Sequence, residues 1–346
     1  MQVRAMTASD GPAWDAFVAA HPGGTFCHRA IWADVIARAF GHTPHYVVAE
    51  QDGAIVGVLP MVHVKTILFG NSLMSTPFCV YGGPLVTDGA ALAAIDTHVA
   101  ALMARTGARV AEYRLRDPLP GADESWPVRD DLYVTFRRAI GADDDANLKA
   151  IPRKQRAMVR KGIDRGLVAH VGTDTDALHA IYAQSVRNLG TPVFSRRYFR
   201  ILRDAFGTDL DVVTITDADT PIAAVLNFYD RDKGEVLPYY GGGTAAARDA
   251  YGNDFMYWAV MRHAAAQGIT MFDFGRSKAG TGAYSFKKNW GFVPAPLPYR
   301  YRLAPGASIP DHNPLNPKYR LMIAAWKRLP VAVANLVGPP IVRGIG

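Results

Sequence analysis

The chain has 346 residues, of which 49% are hydrophobic and 20% charged; that composition excludes a disordered or low-complexity protein, and the length suggests about two domains. The net charge of +7 is unevenly spread: residues 1–147 carry −5 (11 Lys/Arg, 16 Asp/Glu), residues 148–203 carry +9 (12 and 3) and residues 204–346 carry +3 (15 and 12). The two cysteines, Cys27 and Cys79, cannot staple a chain of this size and form no cluster with metal-ligand spacing, so neither a disulfide framework nor a metal site is expected.

The first stretch, MQVRAMTASDGPAWDAF, places Asp10 and Asp15 where a secretory leader needs an unbroken apolar run, so a cytoplasmic protein is expected. YVVAEQDGAIVGVLPM (46–61) reads as two strands joined at Asp52-Gly53. VYGGPL (80–85) precedes a helix over 89–107, with Leu92, Ile95, Val99 and Leu102 on one side and Gly107 as its stop. A short strand follows at 109–116.

The +9 block opens with IPRKQRAMVRKGIDRGL (151–167). Arg153, Arg156 and Arg160 recur at spacings of three and four, so one helix face presents all three, beside Lys154, Lys161 and Arg165. Such a face suits a pyrophosphate or a nucleic-acid backbone, or is simply solvated. No aromatic residues interleave with the charges, so base stacking is not indicated. A helical stretch follows at 182–190, and LGTPVFSRRYF (189–199) either lines an acceptor pocket or places Phe194 and Phe199 in the core.

DVVTITDADTPIAAVLNF (211–228) repeats the hairpin pattern, with its turn near Asp217–Thr220. PYYGGGT (238–244) precedes a helix over 253–268 that starts at Asn253-Asp254 and shows Phe255, Met256, Ala259 and Val260 on one side. A glycine run ahead of a helix N-terminus can bind an anion through free N–H groups, or can be a plain turn. Tyr239, Tyr240 and Asn253 are taken as substrate-binding candidates, the tyrosines as lining of a tunnel.

FDFGRSKAGTGAYSFKKNWGF (272–292) is the densest candidate for chemistry. Asp273 lies in an apolar strand, where an unpaired carboxylate would cost several kcal/mol. Arg276 and Lys278 are close enough in sequence to pair with it. The catalytic candidates are therefore Asp273, as general base or orienter of the acceptor, with Arg276 and Lys278 for phosphate or oxyanion. Lys287 and Lys288 are expected to hold phosphate as point charges. The plainer alternative is a structural Asp–Arg pair beside a flexible loop.

The final stretch, 316–346, has five Lys/Arg and no acidic residue. Tyr319, Met322, Ile323 and Trp326 fall at i, i+3, i+4 and i+7, flanked by Arg320, Lys327 and Arg328. Pro330, Pro339 and Pro340 interrupt it, and no apolar run reaches the roughly 20 residues that span a bilayer. It is either a peripheral helix on the anionic inner membrane or a segment packed on the body.

Both halves thus read hairpin, strand, helix, strand, with the aromatic-Gly-Gly run as the strand before the helix; Tyr81 to Glu112 spans 31 residues and Tyr240 to Asp273 spans 33. The expected fold is a duplicated α/β unit with mixed sheets flanked by helices: residues 1–145 a degenerate scaffold, 146–303 the active half, and 304–346 a basic tail.

Five stretches carry a resemblance: RKQRAMVRKGIDRGL, NLGTPVFSRRYF, LPYYGGGTAAARDAYGNDFMYW, FDFGRSKAGTGAYSFKKNWGF and NPLNPKYRLMIAAWKRLP. They resemble the FemAB-like branch of the GNAT acyltransferase superfamily. More narrowly, they are similar to the FemAB-related proteins encoded with exosortase (PEP-CTERM) exopolysaccharide loci. The resemblance implies tandem GNAT-like domains over 1–303. It also implies transfer of an acyl or aminoacyl group to an amine or hydroxyl of a cell-envelope saccharide or peptidoglycan-type precursor. Acyl-CoA or aminoacyl-tRNA would be the co-substrate, with no tightly bound cofactor and with tRNA as one prospective partner. Phe286-Lys287 matches the family's Phe-Lys pair, which holds the phosphorylated acceptor. The long helical arm of peptidoglycan-bridge enzymes has no counterpart here. The acetyl-CoA loop Q/R-x-x-G-x-G/A is replaced by Arg248-Asp-Ala-Tyr-Gly252, so the donor stays open. No Ser/His/Asp order or reactive cysteine setting is evident, so direct transfer without a covalent intermediate is expected. The alternative is a non-catalytic module that binds a lipid- or nucleotide-linked saccharide at the membrane.

Overall fold

The computed structural model describes every residue except 68, 120, 311–316 and 346, and of 317–320 it describes the backbone alone. The chain begins β1 (Gln2–Ala5), α1 (Gly11–Ala20), α2 (Ile31–Phe40), β2 (Thr43–Gln51), β3 (Ala54–Thr66), β4 (Gly70–Ser75), β5 (Leu85–Val86), α3 (Gly89–Thr106), β6 (Val110–Arg114) and β7 (Val128–Arg129). It continues through β8 (Tyr133–Ala139), α4 (Asp144–Ala150), α5 (Arg153–Asp164), β9 (Val168–Gly172), α6 (Thr175–Leu189), α7 (Arg196–Phe206), β10 (Leu210–Asp217), β11 (Thr220–Asp230) and β12 (Glu235–Gly243). Then come α8 (Ala245–Asp249), α9 (Gly252–Ala266), β13 (Met271–Asp273), β14 (Ser277–Lys278), α10 (Gly282–Asn289), β15 (Pro294–Pro296), β16 (Tyr299–Leu303), α11 (Pro317–Trp326) and α12 (Val331–Val342).

Local chemistry explains the main elements. The β2–β3 hairpin turns on Asp52 and Gly53, both with positive φ (51° and 80°), as a tight two-residue turn requires. The β10–β11 hairpin makes the same turn with Ala218 and Asp219 (45° and 66°), without glycine. Asp88 caps α3 by accepting from the Ala91 N–H (2.8 Å), and Gly107 ends it in the left-handed region. The inward residues of α3 include Leu92, Ile95, Val99 and Leu102, the stripe read from the sequence.

Two compact units result: Met1–Tyr133 with Pro296–His312 and Arg343–Gly346, and Val134–Ala295 with Asn313–Val342. Their sheets share one pattern. The first runs β1-β2-β3-β4-β6-β16-β7 with β5 beside β3, and the second runs β9-β10-β11-β12-β13-β8-β14 with β15 beside β8. In each, one parallel pair follows a helical crossover: β4 with β6 through α3, and β12 with β13 through α9. In each, a strand that the sequence places with the other half lies antiparallel to that crossover strand: β16 on β6, and β8 on β13. The compact units change over at 133/134 and 295/296, where the sequence reading drew boundaries at 145/146 and 303/304. Neither β8 nor β16 carries a local signal of its partner, and each supplies the hydrogen bonds that a strand ending a crossover needs.

The first core gathers Val47, Leu59, Leu73, Ile95, Val99 and Tyr113. The second gathers Val225, Val236, Met256, Val260, Phe272 and Trp290. Burying such a side chain is worth about 1.5–3 kcal/mol. On α9 the inward face is Met256, Val260, Met261 and Ala264, while Phe255 and Ala259 are half-buried, so the apolar stripe is turned slightly from the one expected.

Candidate active site

The parallel pair of the second unit is short. β12 and β13 are in register only at Glu235–Met271 and Val236–Phe272. β12 continues beside β11 to Gly243. Past Asp273 the chain stays with β8 instead, since the Phe274 N–H donates to the Phe136 carbonyl (2.9 Å). Tyr257 of α9 stands in this gap. A Cβ on Gly241 would lie 3.5 Å from its hydroxyl. On the other side its ring centre is 4.9 Å from that of Phe274 and 5.5 Å from that of Phe286.

Asp273 ends β13 with no exposed surface. Its Oδ1 accepts from the Gly275 N–H (2.7 Å) and the Thr135 hydroxyl (3.3 Å), and its Oδ2 lies 3.4 Å from Nε of Arg137. Arg137 also pairs with the buried Glu235 at the start of β12. One guanidinium on β8 therefore serves two buried carboxylates on neighbouring strands, as buried charge requires. With its oxygens enclosed, Asp273 organises the loop that follows it. The direct contact with an acceptor expected of a general base is not compatible with this arrangement.

That loop is held from its other side by Lys287 of α10, whose ammonium donates to the carbonyls of Phe274 (2.6 Å), Gly275 (3.0 Å) and Arg276 (3.1 Å). Gly275 has φ 65°, a left-handed conformation that a larger residue resists. Burial pushes the Lys287 amine down to about 7, with Asp273 drawing it up and Arg276 pressing it further down. Lys287 is thus committed to loop carbonyls rather than free for phosphate. Phe286 packs among Tyr257, Phe274 and Trp290. Lys288, next along α10, is exposed, and Arg276 and Lys278 are half-buried on the loop itself. Asp273, Arg276, Lys278, Phe286 and Lys287 are therefore neighbours around one loop.

The glycine run lies in a strand, where the hairpin, strand, helix, strand reading puts one, and is neither a plain turn nor the lead-in to the α9 N-terminus. Gly241–Gly243 close β12, and α8 intervenes before α9. A Cβ on Gly242 would sit 2.5 Å from Cβ of Ser185 on α6, and one on Gly243 would sit 2.5 Å from Oδ1 of Asn253. The glycines let helices approach both faces of the sheet. Asn253 lies against Gly243, and its neighbour Asp254 accepts from the Trp290 indole (2.8 Å) and Gln155 (3.3 Å). Burial raises the Asp254 carboxyl, and these bonds draw it back. Tyr239 is the extra residue of a bulge, between Tyr240 opposite Leu226 and Pro238 opposite Asn227. Tyr240 is buried, and its hydroxyl meets that of Tyr198 (2.8 Å) inside a cluster with Tyr182, Phe194 and Phe199. Tyr240 and Phe199 are therefore core residues here, and Phe194 is half-buried against them.

The basic helix α5 turns Gln155, Val159 and Gly162 inward. Arg153, Lys154 and Arg160 are exposed, and Arg156 reaches back to the Lys149 carbonyl (3.0 Å). Lys161 lies over the ring of Tyr251, and Arg165 pairs with Asp217. Nothing in the sequence singled out Thr135, Arg137, Glu235 or Tyr257. Arg137 and Glu235 were visible only as charged residues in strands rich in apolar neighbours. The first unit has a cleft of about 330 Å³, lined in part by His21, His28, Gly83, Arg114 and Arg116.

Residues 149–288 match the family model described as an acetyltransferase (GNAT) domain. No curated protein matches the chain by sequence. Among solved structures the chain is similar to FemX, with a TM-score of 0.66 at 16% identity, over 93% of this chain and all of that one (100%). It is similar to L-PGS from Bacillus licheniformis, with a TM-score of 0.57 at 13% identity, over 95% of this chain and 97% of that one. A tandem GNAT protein from the clavulanic acid biosynthesis pathway gives a TM-score of 0.55 at 13% identity, over 89% and 99%. The chain thus has a tandem GNAT-like fold of mixed sheets flanked by helices, with the match to the GNAT family model confined to residues 149–288.

Proposed function

We propose that the chain is an acyltransferase that moves an acyl or aminoacyl group onto an amine or hydroxyl of a phosphorylated cell-envelope saccharide or peptidoglycan-type precursor. The observation that carries this reading is the parting of β12 and β13 within the matched GNAT domain. Past the parting, the rings of Tyr257, Phe274 and Phe286 lie together beside the two diverging strands. An activated donor needs positioning and charge stabilisation more than a covalent catalyst.

In this reading Arg276 and Lys278 meet the oxyanion or the donor's phosphate. Lys287 and Asp273 act one step back, fixing the loop that carries them. Arg153, Lys154 and Arg160, exposed on α5, offer charge to a pyrophosphate or a tRNA backbone. Lys288 offers charge to the acceptor. The donor is acyl-CoA or aminoacyl-tRNA; the names FemX and L-PGS among similar folds suit the second, and the tandem GNAT protein the first. The resemblance to exosortase-associated proteins suggests exopolysaccharide as the acceptor's destination.

Native mass spectrometry of the purified chain with acyl-CoAs, aminoacyl-tRNA and UDP-linked sugars tests this reading. A bound acyl-CoA or aminoacyl-tRNA supports it and selects the donor. Binding of a sugar nucleotide with no donor contradicts it and favours a non-catalytic saccharide-binding module.

A further inference from the structure

The last two helices pack on the second unit with one face only. Ile323 of α11 lies against Gly190, where a Cβ would be 2.5 Å from it. The turn after α11 is fixed by Arg187, which donates to the Lys327 carbonyl (3.0 Å). On α12 the inward residues are Ala334, Gly338 and Val342, and Gly338 approaches the backbone of Val193 closely. The small residues seat the helix.

The opposite face of α12 is apolar where a surface helix is ordinarily polar. Val333, Leu336, Val337 and Pro340 recur at i, i+3, i+4 and i+7, and all are exposed, Leu336 by 77%. On α11, Leu321 (84%) and Met322 (66%) are exposed as well. Between the two helices stand Lys327 and Arg328, both exposed and in no ion pair among the described residues. From residue 316 onward no acidic residue accompanies them.

We infer that this face rests on a lipid bilayer that contains anionic lipids. The exposed apolar side chains enter the headgroup boundary, and Lys327 and Arg328 meet lipid phosphates. A second copy of the chain fits less well, because it carries the same cations and a net charge of +7. No helix among the described residues is long and apolar enough to cross a membrane, so the contact lies in the plane of the surface. The inference is independent of the acyl-transfer reading.

Co-sedimentation of the full chain with phosphatidylcholine vesicles, with and without phosphatidylglycerol, tests it. Binding is expected only with phosphatidylglycerol and should fall in high salt. A Leu336→Glu/Val337→Glu variant should bind more than about tenfold more weakly. Replacing Lys327 and Arg328 by alanine should weaken binding about fivefold per charge. Leu336, Lys327 and Arg328 are exposed and Val337 is 37% exposed, so thermal melting should change little, and a Leu336→Glu single variant should show the same loss of binding. An Arg153→Ala/Lys154→Ala variant should bind as the wild type does. Absence of binding, or binding lost with the α5 variant but kept in both others, overturns the inference. So does a dimer in size exclusion that the Leu336/Val337 variant abolishes while vesicle binding stays unchanged.

Discussion

The ammonium of Lys287 lies 2.6 Å from the carbonyl oxygen of Phe274 and bonds the next two carbonyls as well, so one side chain holds the whole turn that leaves β13. Lys287→Met should therefore destabilise the second unit by about 2–4 kcal/mol, since three enclosed carbonyls lose their donor. The effect should depend on pH. The folded-state value of about 7 lies below the unfolded value near 10.5. Between them the unfolded chain holds a proton that the folded chain does not, so raising the pH favours folding. The wild type's stability relative to Lys287→Met should rise from pH 7 towards 10.5 and stay flat below 7. Urea denaturation across that range reads both effects, and parallel pH curves for the two proteins would count against the assignment.

Arg137 is the counter-ion of Asp273 and of Glu235. Arg137→Leu should cost about 3–5 kcal/mol, because two buried carboxylates lose it together. In a double-mutant cycle, Asp273→Asn should cost much less in the Arg137→Leu background than alone. Additive effects would show that the two do not act as a unit.

Gly242 faces Ser185 across the β12–α6 contact, with no room for a methyl group. Gly242→Ala should lower stability by about 1–3 kcal/mol through overpacking. Adding Ser185→Gly should restore part of that loss despite the helix propensity it sacrifices. A thermal melt of the three variants decides it; no recovery in the double variant would contradict the packing explanation.

His28 is buried in the first unit between the Thr25 hydroxyl (2.8 Å) and the Gly83 carbonyl (3.0 Å). Burial pushes it down to about 3 from 6.5. Below pH 6.5 the unfolded chain gains a proton that the folded one refuses, so stability should fall as pH drops towards 3, by up to about 1.4 kcal/mol per unit. His28→Gln should flatten that stretch of the acid-denaturation curve, and an unchanged curve would remove His28 as its source.

The two hairpins, the long helices and the duplication were legible because each rests on local chemistry: turn residues, caps, and apolar spacing. The exchange of β8 and β16 was not, because a short strand does not announce which sheet it joins. The glycine run at 241–243 was ambiguous for a related reason. Glycine permits a turn and a close helix approach alike, and only the tertiary fold shows Ser185 and Asn253 pressing on it. For the candidate site, an acid within an apolar strand drew attention to Asp273, which is buried with Arg137 beside it, whereas the sequence offered Arg276 and Lys278 as partners. Its partner Arg137 lies 136 residues earlier, beyond any local rule. The bonds of Lys287 to the loop carbonyls were not legible, since charge alone does not tell a phosphate ligand from a clasp on carbonyl groups.

The most direct measurement of acyl transfer is donor discharge with product detection. The chain would be incubated with the donor found to bind and with a phosphorylated envelope precursor, and the acylated product followed by mass spectrometry. Wild-type protein should yield acylated precursor, and Arg276→Ala/Lys278→Ala should slow it by more than about a hundredfold while the fold is kept. A donor that binds but is never discharged in the presence of any acceptor, or a double variant as fast as the wild type, would contradict a transferase centred on this loop.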